Sequence, residues 1–98
     1  MTHKTIQRAN MPEEASLADR INGVISRVMN SQGLPIPGPN DDLYTAGLTS
    51  MGMVRLMLAV EVEFDVTVPD SELIPENFRS FGSLEQLLAR LRYRPPNG

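Results

Sequence analysis

Few residues in this chain are placed to do chemistry, and the absences are informative. There is no Cys, so a disulfide framework, a thiolate zinc site and a Cys nucleophile are all excluded. The single His is His3, in the polar stretch 1–10, which argues against a Ser-His-Asp triad or a multi-His metal site. Gly33, Gly38 and Gly47 have the wrong spacing for a phosphate loop and no Lys follows them. Glu61 and Asp65 sit one helical turn apart, yet nothing around them supplies the burial that raises a catalytic carboxyl pKa. Asp65 to Glu76 is acidic but lacks the alternating ligands and central Gly of a calcium loop, so its carboxylates read as solvated. Met51, Met53 and Met57 lie along one helix and read as core filler. Ser50 is the exception. It stands in Ala46-Gly47-Leu48-Thr49-Ser50-Met51, where a loop turns into a helix, and taken alone it is a helix cap. No residue is assigned a catalytic role and none a metal.

The elements that must position these residues are helical. Pro12, Glu13 and Glu14 read as a helix start, and Ala18, Ile21, Val24, Ile25, Val28 and Met29 recur at three- and four-residue steps. This predicts a first helix over 12–31, ending before Gly33. Residues 32–40 hold three Pro and two Gly and form an irregular loop, pinned to the core by Leu34 and Ile36. Asp41 and Asp42 start a helical turn before Gly47, with Leu43 and Tyr44 turned inward. A second helix is predicted from Ser50 to Phe64, with Met51, Val54, Leu58 and Val62 as its inner stripe, Met57 and Phe64 flanking, and Glu61 outside. Asp65 ends it. Val66-Thr67-Val68-Pro69 is extended but too short and isolated to make a sheet. Pro75 to Phe78 suggests one short helical turn. Ser83 with Gln86 reads as the capping box of a last helix, which buries Leu84, Leu87, Leu88 and Leu91 and ends on Arg90 and Arg92. The sum is an all-α bundle of three main helices plus one or two short turns. Residues 1–10 and 94–98 read as mobile tails around one folded unit, 11–93.

Length and charge set the class. Ninety-eight residues make one small domain with no space for a deep active site. The most apolar stretch, Val54 to Val62, is interrupted by Arg55 and Glu61 and is far short of a membrane span, and no signal-peptide core follows Met1. The expectation is a cytoplasmic monomer with no membrane partner. The net charge of −3 is unevenly spread: about +1 over residues 1–40, about −7 over 41–78, where Arg55 is the sole base, and about +3 over 79–98. An acidic middle argues against nucleic acid, whose phosphates need clustered Lys and Arg. It suits a protein partner with a basic patch, or simply a solvated face.

The flanks of Ser50 change its reading. Asp42-Leu43-Tyr44-Thr45-Ala46-Gly47-Leu48-Thr49-Ser50-Met51, Val54-Arg55-Leu56, Glu61, Glu63-Phe64-Asp65-Val66 and Val68-Pro69-Asp70 form a gapless pattern that resembles the acyl carrier protein superfamily. The family pattern has an acid and an apolar or aromatic pair, then Gly-x-Asp-Ser-Leu. A helix ending in Glu-x-x-Phe and a β-branched segment closed by Pro follow. With the last helix, the resemblance covers about 40 residues and implies a four-helix-type carrier bundle over 11–93.

The resemblance implies that Ser50 Oγ is esterified by 4′-phosphopantetheine taken from coenzyme A through a phosphopantetheinyl transferase, making the chain a phosphoprotein. A phosphodiester suits the helix N-terminus, where free N–H groups and the positive dipole end meet it. The arm's thiol would carry cargo as a thioester, which explains how a Cys-free chain serves acyl chemistry: the reactive group is the cofactor's and the catalysis is the partners'. The chain itself is then not an enzyme.

Two departures refine this. Thr49 stands where the family has Asp; it can still cap, but one charge is lost beside the phosphate. Gly52, Met53 and Arg55 replace residues that are acidic or polar in fatty-acid carriers, and Val54-Arg55-Leu56 looks more like carriers of the peptide-synthetase and polyketide type. Gly-Leu-Thr-Ser-Met and Pro-Glu-Asn-Phe-Arg-Ser-Phe point to stand-alone bacterial aminoacyl carriers, which are charged by discrete amino acid:carrier protein ligases related to seryl-tRNA synthetase catalytic domains. The expected partner face is Leu48, Met51, Met53 and Arg55. A carrier of fatty acyl or polyketide chains, and an unmodified helical interaction module, are the alternatives.

Overall fold

Ser16 is extended, and its Oγ accepts the Asp19 N–H at 3.0 Å, so the first helix starts one residue later. In the computed structural model, which describes residues 16–91 and 93, α1 runs over Leu17–Ser31. The helix expected from residue 12 therefore cannot pass unbroken through Ser16. Pro12, Glu13 and Glu14 lie outside the described residues, as do His3, Arg92 and the tails 1–10 and 94–98. At its other end, Leu34 N–H donates to Met29 O at 2.9 Å and Gly33 N–H to Asn30 O at 3.0 Å. This paired closure stops α1 before the Pro-rich loop, as expected.

α2 is Ser50–Phe64 and α3 is Phe81–Arg90, with 3-10 turns at Asp70–Glu72 and Pro75–Phe78 between them. Among the described residues these are the only helices, three α and two 3-10, and none of the residues is in a strand. Among the described residues that makes an all-α bundle of three α-helices. α1 packs on α2 and α3, and the Pro75–Phe78 turn packs on both α2 and α3. The core is shared by all of them: Ile21, Val24, Ile25, Val28 and Met29 from α1, Leu56, Val60 and Phe64 from α2, Phe78, and Leu84, Leu87 and Leu88 from α3. Leu43 and Leu48 reach it from the loop before α2, and Val68 from the extended segment after it. Ala18 is exposed, and Ile36, expected to pin the loop, also lies in solvent; Leu34 does that pinning, half-buried against the core.

Two details depart from the sequence pattern. α3 is capped by Ser80, not Ser83: Ser80 is extended and its Oγ accepts the Ser83 N–H at 3.2 Å, which makes Ser83 the third residue of the helix. Both serines fit a cap by type, and the earlier one wins because Phe81, half-buried, packs against the core from the first helical position. The larger departure is the face of α2. Gly52, Leu56, Val60 and Phe64 are buried, whereas Met51, Val54, Leu58 and Val62, the expected inner stripe, face solvent.

α2 carries apolar residues on both sides, so its period fixes a stripe without saying which stripe goes in. Its ends decide. At the start, Gly52 has no side chain, and a Cβ there would come within 2.6 Å of Leu48 Cδ1, so Leu48 closes over that side. At the far end Phe64 meets the Tyr93 ring edge-on, with centroids 5.1 Å apart and planes at 82°, under the Arg20 guanidinium 4.7 Å from its ring centroid. Arg20 also donates to Glu63 Oε2 at 3.0 Å, to Glu63 O at 2.6 Å and to the Tyr93 hydroxyl. Both ends thus turn the 52-56-60-64 row inward.

Candidate functional site

The loop that presents Ser50 is fastened from both sides. Asp42 Oδ1 accepts the Tyr44 N–H at 2.8 Å and the Thr45 N–H at 3.1 Å, which folds the first turn. Its other oxygen accepts from Arg79 Nη1 at 2.6 Å, and Leu43 N–H donates to Arg79 O at 2.7 Å. Arg79 lies over the Tyr44 ring, 5.3 Å from its centroid, and the Tyr44 hydroxyl donates to Pro75 O at 2.8 Å. The hydrogen bond from Arg79 holds the Asp42 carboxyl below its ordinary pKa, with the backbone N–H groups of Thr45 and Tyr44 helping. Burial pushes the Tyr44 phenol above its ordinary value. Asp42, Leu43 and Tyr44 thus tie the site loop to the turn at Pro75–Phe78. Sequence reasoning placed Leu43 and Tyr44 inward but missed Arg79; its signal, an acid at 42 with a base 37 residues away, cannot be found from spacing.

After this anchor the chain bends. Leu48 N–H donates to Leu43 O at 2.9 Å, and Gly47 adopts φ 119°, a backbone region that a side chain rarely enters. A Cβ at Gly47 would also stand 2.7 Å from Leu34 Cδ2, so only glycine fits between this bend and the loop that follows α1. Thr49 is the N-cap: its Oγ1 accepts the Gly52 N–H at 3.1 Å and its carbonyl accepts the Met53 N–H at 2.8 Å. Thr49 therefore caps without the charge that an Asp would bring, and Ser50 is the first helical residue, not the cap.

Ser50 is exposed. Among the described residues the N–H groups of Ser50 and Met51 have no protein acceptor, and no acidic residue stands in the first turn of α2. Two unpaired donors, the positive dipole end and a solvent-facing hydroxyl suit a phosphodiester on Ser50 Oγ. No carboxylate competes for that position within the turn. Met51 and Arg55 are exposed beside it, whereas Met53 is half-buried against the core. Leu48 is buried, which corrects its expected place on a partner face: it holds the start of α2 from beneath and presents nothing outward.

The acids weighed for chemistry have structural work. Glu61 Oε2 accepts the Val68 N–H at 2.8 Å, tying the extended segment to α2, and Asp65 closes the helix with φ 53°. A cleft of about 290 Å³ opens between α1 and the 36–39 loop, over Ile25, Leu43 and Phe81, with no residue of α2 in its lining.

Residues 19–91 match the family described as the phosphopantetheine attachment site. The chain belongs to that family. Its cofactor is covalent 4′-phosphopantetheine, and members of the family act as carriers. Aminoacyl carrier protein 2 of Bradyrhizobium diazoefficiens is 39% identical over 74 residues, covering 74% of this chain and 83% of that protein. Aminoacyl carrier protein 1 of the same organism is 56% identical over 50 residues; that match covers 51% of this chain and 56% of the relative, just over half its length. Among solved structures, a chain in the Bradyrhizobium japonicum glycine:[carrier protein] ligase complexed with cognate carrier protein and an analogue of glycyl adenylate aligns with a TM-score of 0.58. It is 43% identical and covers 74% of this chain and 99% of that one. The phosphopantetheine family's fold thus reaches across α1, α2, both 3-10 turns and α3. No helix among the described residues is long and apolar enough to cross a membrane.

Proposed function

We propose that Ser50 Oγ is the attachment point of the 4′-phosphopantetheine arm and that the chain carries an aminoacyl group loaded by a separate, ATP-dependent amino acid:carrier protein ligase. The observation that carries the assignment is the exposed Ser50 at the first position of a 15-residue helix, with unpaired N–H groups at Ser50 and Met51. When attached, the arm supplies the terminal thiol that holds the cargo. The chain's own residues do the rest by position. Thr49 caps the helix so that its remaining N–H groups face the phosphate. Gly47 and Leu48 set the bend that lifts Ser50 into solvent, and Asp42, Tyr44 and Arg79 hold the loop still. No residue here is asked for acid–base work, and catalysis belongs to the partner enzymes.

The aminoacyl reading is supported by relatives that are aminoacyl carrier proteins and by carrier chains solved with a glycine:[carrier protein] ligase, one of them glycylated. Met51 and Arg55, exposed beside the arm, are the first contacts offered to such an enzyme. Residues 11–93 are read as the carrier domain, and the coenzyme A and ATP that loading needs support a cytoplasmic setting. The experiment is to incubate the phosphopantetheinylated chain with a ligase, ATP and single amino acids, and to follow intact mass. A gain equal to one aminoacyl group, reversed by a thiol nucleophile, is expected. If every amino acid fails while fatty acyl or polyketide donors load readily, the cargo assignment is wrong.

A further inference from the structure

The loop that presents Ser50 is closed on itself and fastened to the rest of the chain at one place. Within 42–48 the Tyr44 and Thr45 N–H groups donate to Asp42 Oδ1, and the Ala46 N–H donates to Asp42 O at 3.0 Å. The Gly47 N–H donates to Tyr44 O at 3.0 Å and the Leu48 N–H to Leu43 O at 2.9 Å. These local bonds let the stretch move as one body, with Ser50 two residues beyond it. Among the described residues, every hydrogen bond that leaves 42–48 for a distant part of the chain ends between Pro75 and Arg79. The Leu43 N–H goes to Arg79 O, the Asp42 carboxylate meets the Arg79 guanidinium, and the Tyr44 hydroxyl goes to Pro75 O. Arg79 takes part in two of the three and also lies over the Tyr44 ring. Its own neighbours are held firmly. Phe78 is fully buried, and Asn77 donates from Nδ2 to Glu72 O at 2.7 Å while its Oδ1 accepts from Arg90 Nη2 at 2.7 Å. Arg90, the last residue of α3, also pairs with Glu72 at 3.2 Å.

We propose that Arg79 is a positioning residue for attachment of the arm: it clamps the 42–48 body to the turn at Pro75–Arg79, and the clamp reaches through Asn77 to Arg90 of α3. This rests on Ser50 as the attachment point and goes beyond it, because a residue far along the chain then sets how that serine is presented. The clamp is weak enough to open often. The Arg79 and Asp42 side chains are 46 and 31% exposed, so solvent screens their ion pair, and the guanidinium over the Tyr44 ring adds a contact of similar size. While the clamp is open, Ser50 points in many directions. A transferase that needs one direction meets an affinity reduced to the fastened fraction. Loss of Arg79 lowers that fraction while Thr49, Ser50 and the start of α2 stay as they are.

The test has two readouts on the full chain. Amide hydrogen exchange of the unmodified protein, followed by NMR, reads the clamp itself, because the Leu43 N–H is bonded across it. Arg79→Gln should speed exchange at Leu43 about five- to tenfold, and Arg90→Gln about twofold. In each chain that exchange should depend little on low urea, the mark of a local opening and not of global unfolding. The second readout is transfer of phosphopantetheine from coenzyme A by a transferase. Arg79→Gln should raise KM for the protein about threefold or more with kcat within about twofold, where circular dichroism shows the variant folded. Asp42→Asn keeps the oxygen that accepts the Tyr44 and Thr45 N–H groups and loses the ion pair, so it should raise KM as well. The double variant should then be no worse than Arg79→Gln alone. Additive effects would make Arg79 a direct contact of the enzyme and overturn the proposal. Unchanged KM in Arg79→Gln, with the wild type modified normally, overturns it and leaves the Ser50 reading intact. Exchange at Leu43 that ignores Arg79→Gln, or that follows urea as α1 does, overturns the clamp, and exchange that ignores Arg90→Gln overturns its reach to α3. Failure of every transferase to modify the wild type overturns the Ser50 reading and this role with it.

Discussion

α1 and α2 are both 15 residues long and pack against each other, but they divide their surfaces differently. α1 buries Ile21, Val24, Ile25, Val28 and Met29 and shows Asn22, Arg27 and Asn30 to water. α2 buries Gly52, Leu56, Val60 and Phe64 and shows Met51, Val54, Leu58 and Val62. Packing explains all of α1. It explains half of α2, because the hydrophobic effect would favour covering the other half too. α2 thus keeps an apolar outward face that packing among the described residues does not cover. α2 also begins at Ser50, so the surface that packing leaves unexplained adjoins the site.

The contrast can be broken most strongly at α1. Ile21→Ala removes a fully buried side chain from the side of α1 that faces the other helices and should cost about 2–5 kcal/mol, read from urea unfolding. A loss below about 1 kcal/mol would mean that the two helices are not packed as described. Arg20→Ala comes next. Arg20 bonds both the side chain and the carbonyl of Glu63 and reaches Tyr93, so its loss should cost about 1–3 kcal/mol and loosen the far end of α2. Tyr93 should then lose its ordered ring contacts by NMR; unchanged Tyr93 shifts would show that Phe64 alone holds the seam.

A smaller, pH-dependent effect is expected at the site loop. Arg79 holds the folded-state pKa of Asp42 below its ordinary value, and Arg90 does the same for Glu72. Each pair therefore contributes stability that is present above the ordinary carboxylate pKa and is lost as pH falls through the depressed folded value. Asp42→Asn should lower stability at neutral pH and match wild type in acid. A constant offset at every pH would assign the loss to the Asp42 turn and not to its charge. Smallest of all, Val62→Ala should change stability by less than about 0.5 kcal/mol, since that side chain lies in water. A large loss would place the 51-54-58-62 row in the core and reverse the contrast.

Sequence reading succeeded where one pattern had one solution. The α1 stripe is backed by polar residues, so its face was legible, and Gly33 with the prolines behind it fixed where α1 stops. The bounds of α2 were legible too, from the Thr49-Ser50 start to the acid at Asp65, and the Asp42–Asp70 pattern singled out Ser50 among otherwise unremarkable residues. Reading failed where two residues of one type competed. Met51-Val54-Leu58-Val62 and Leu56-Val60-Phe64 are both helical apolar rows, and the choice between them is made by Leu48 closing over Gly52 and by Phe64 meeting Tyr93. Ser80 and Ser83 both suit a cap, and the packing of Phe81 chose. Leu48 belongs to an apolar and basic stretch where an acidic surface is usual, which suggests a partner face, yet it is buried. Its burial depends on a contact with a glycine four residues on, a tertiary fact that composition does not carry.

The central claim is that Ser50 bears the arm. Intact mass of the chain co-expressed with a phosphopantetheinyl transferase tests it most directly. A gain of one phosphopantetheine in the wild type, absent in Ser50→Ala with the fold retained, is the predicted result. No gain with several transferases, or a gain that persists in Ser50→Ala, would contradict the account.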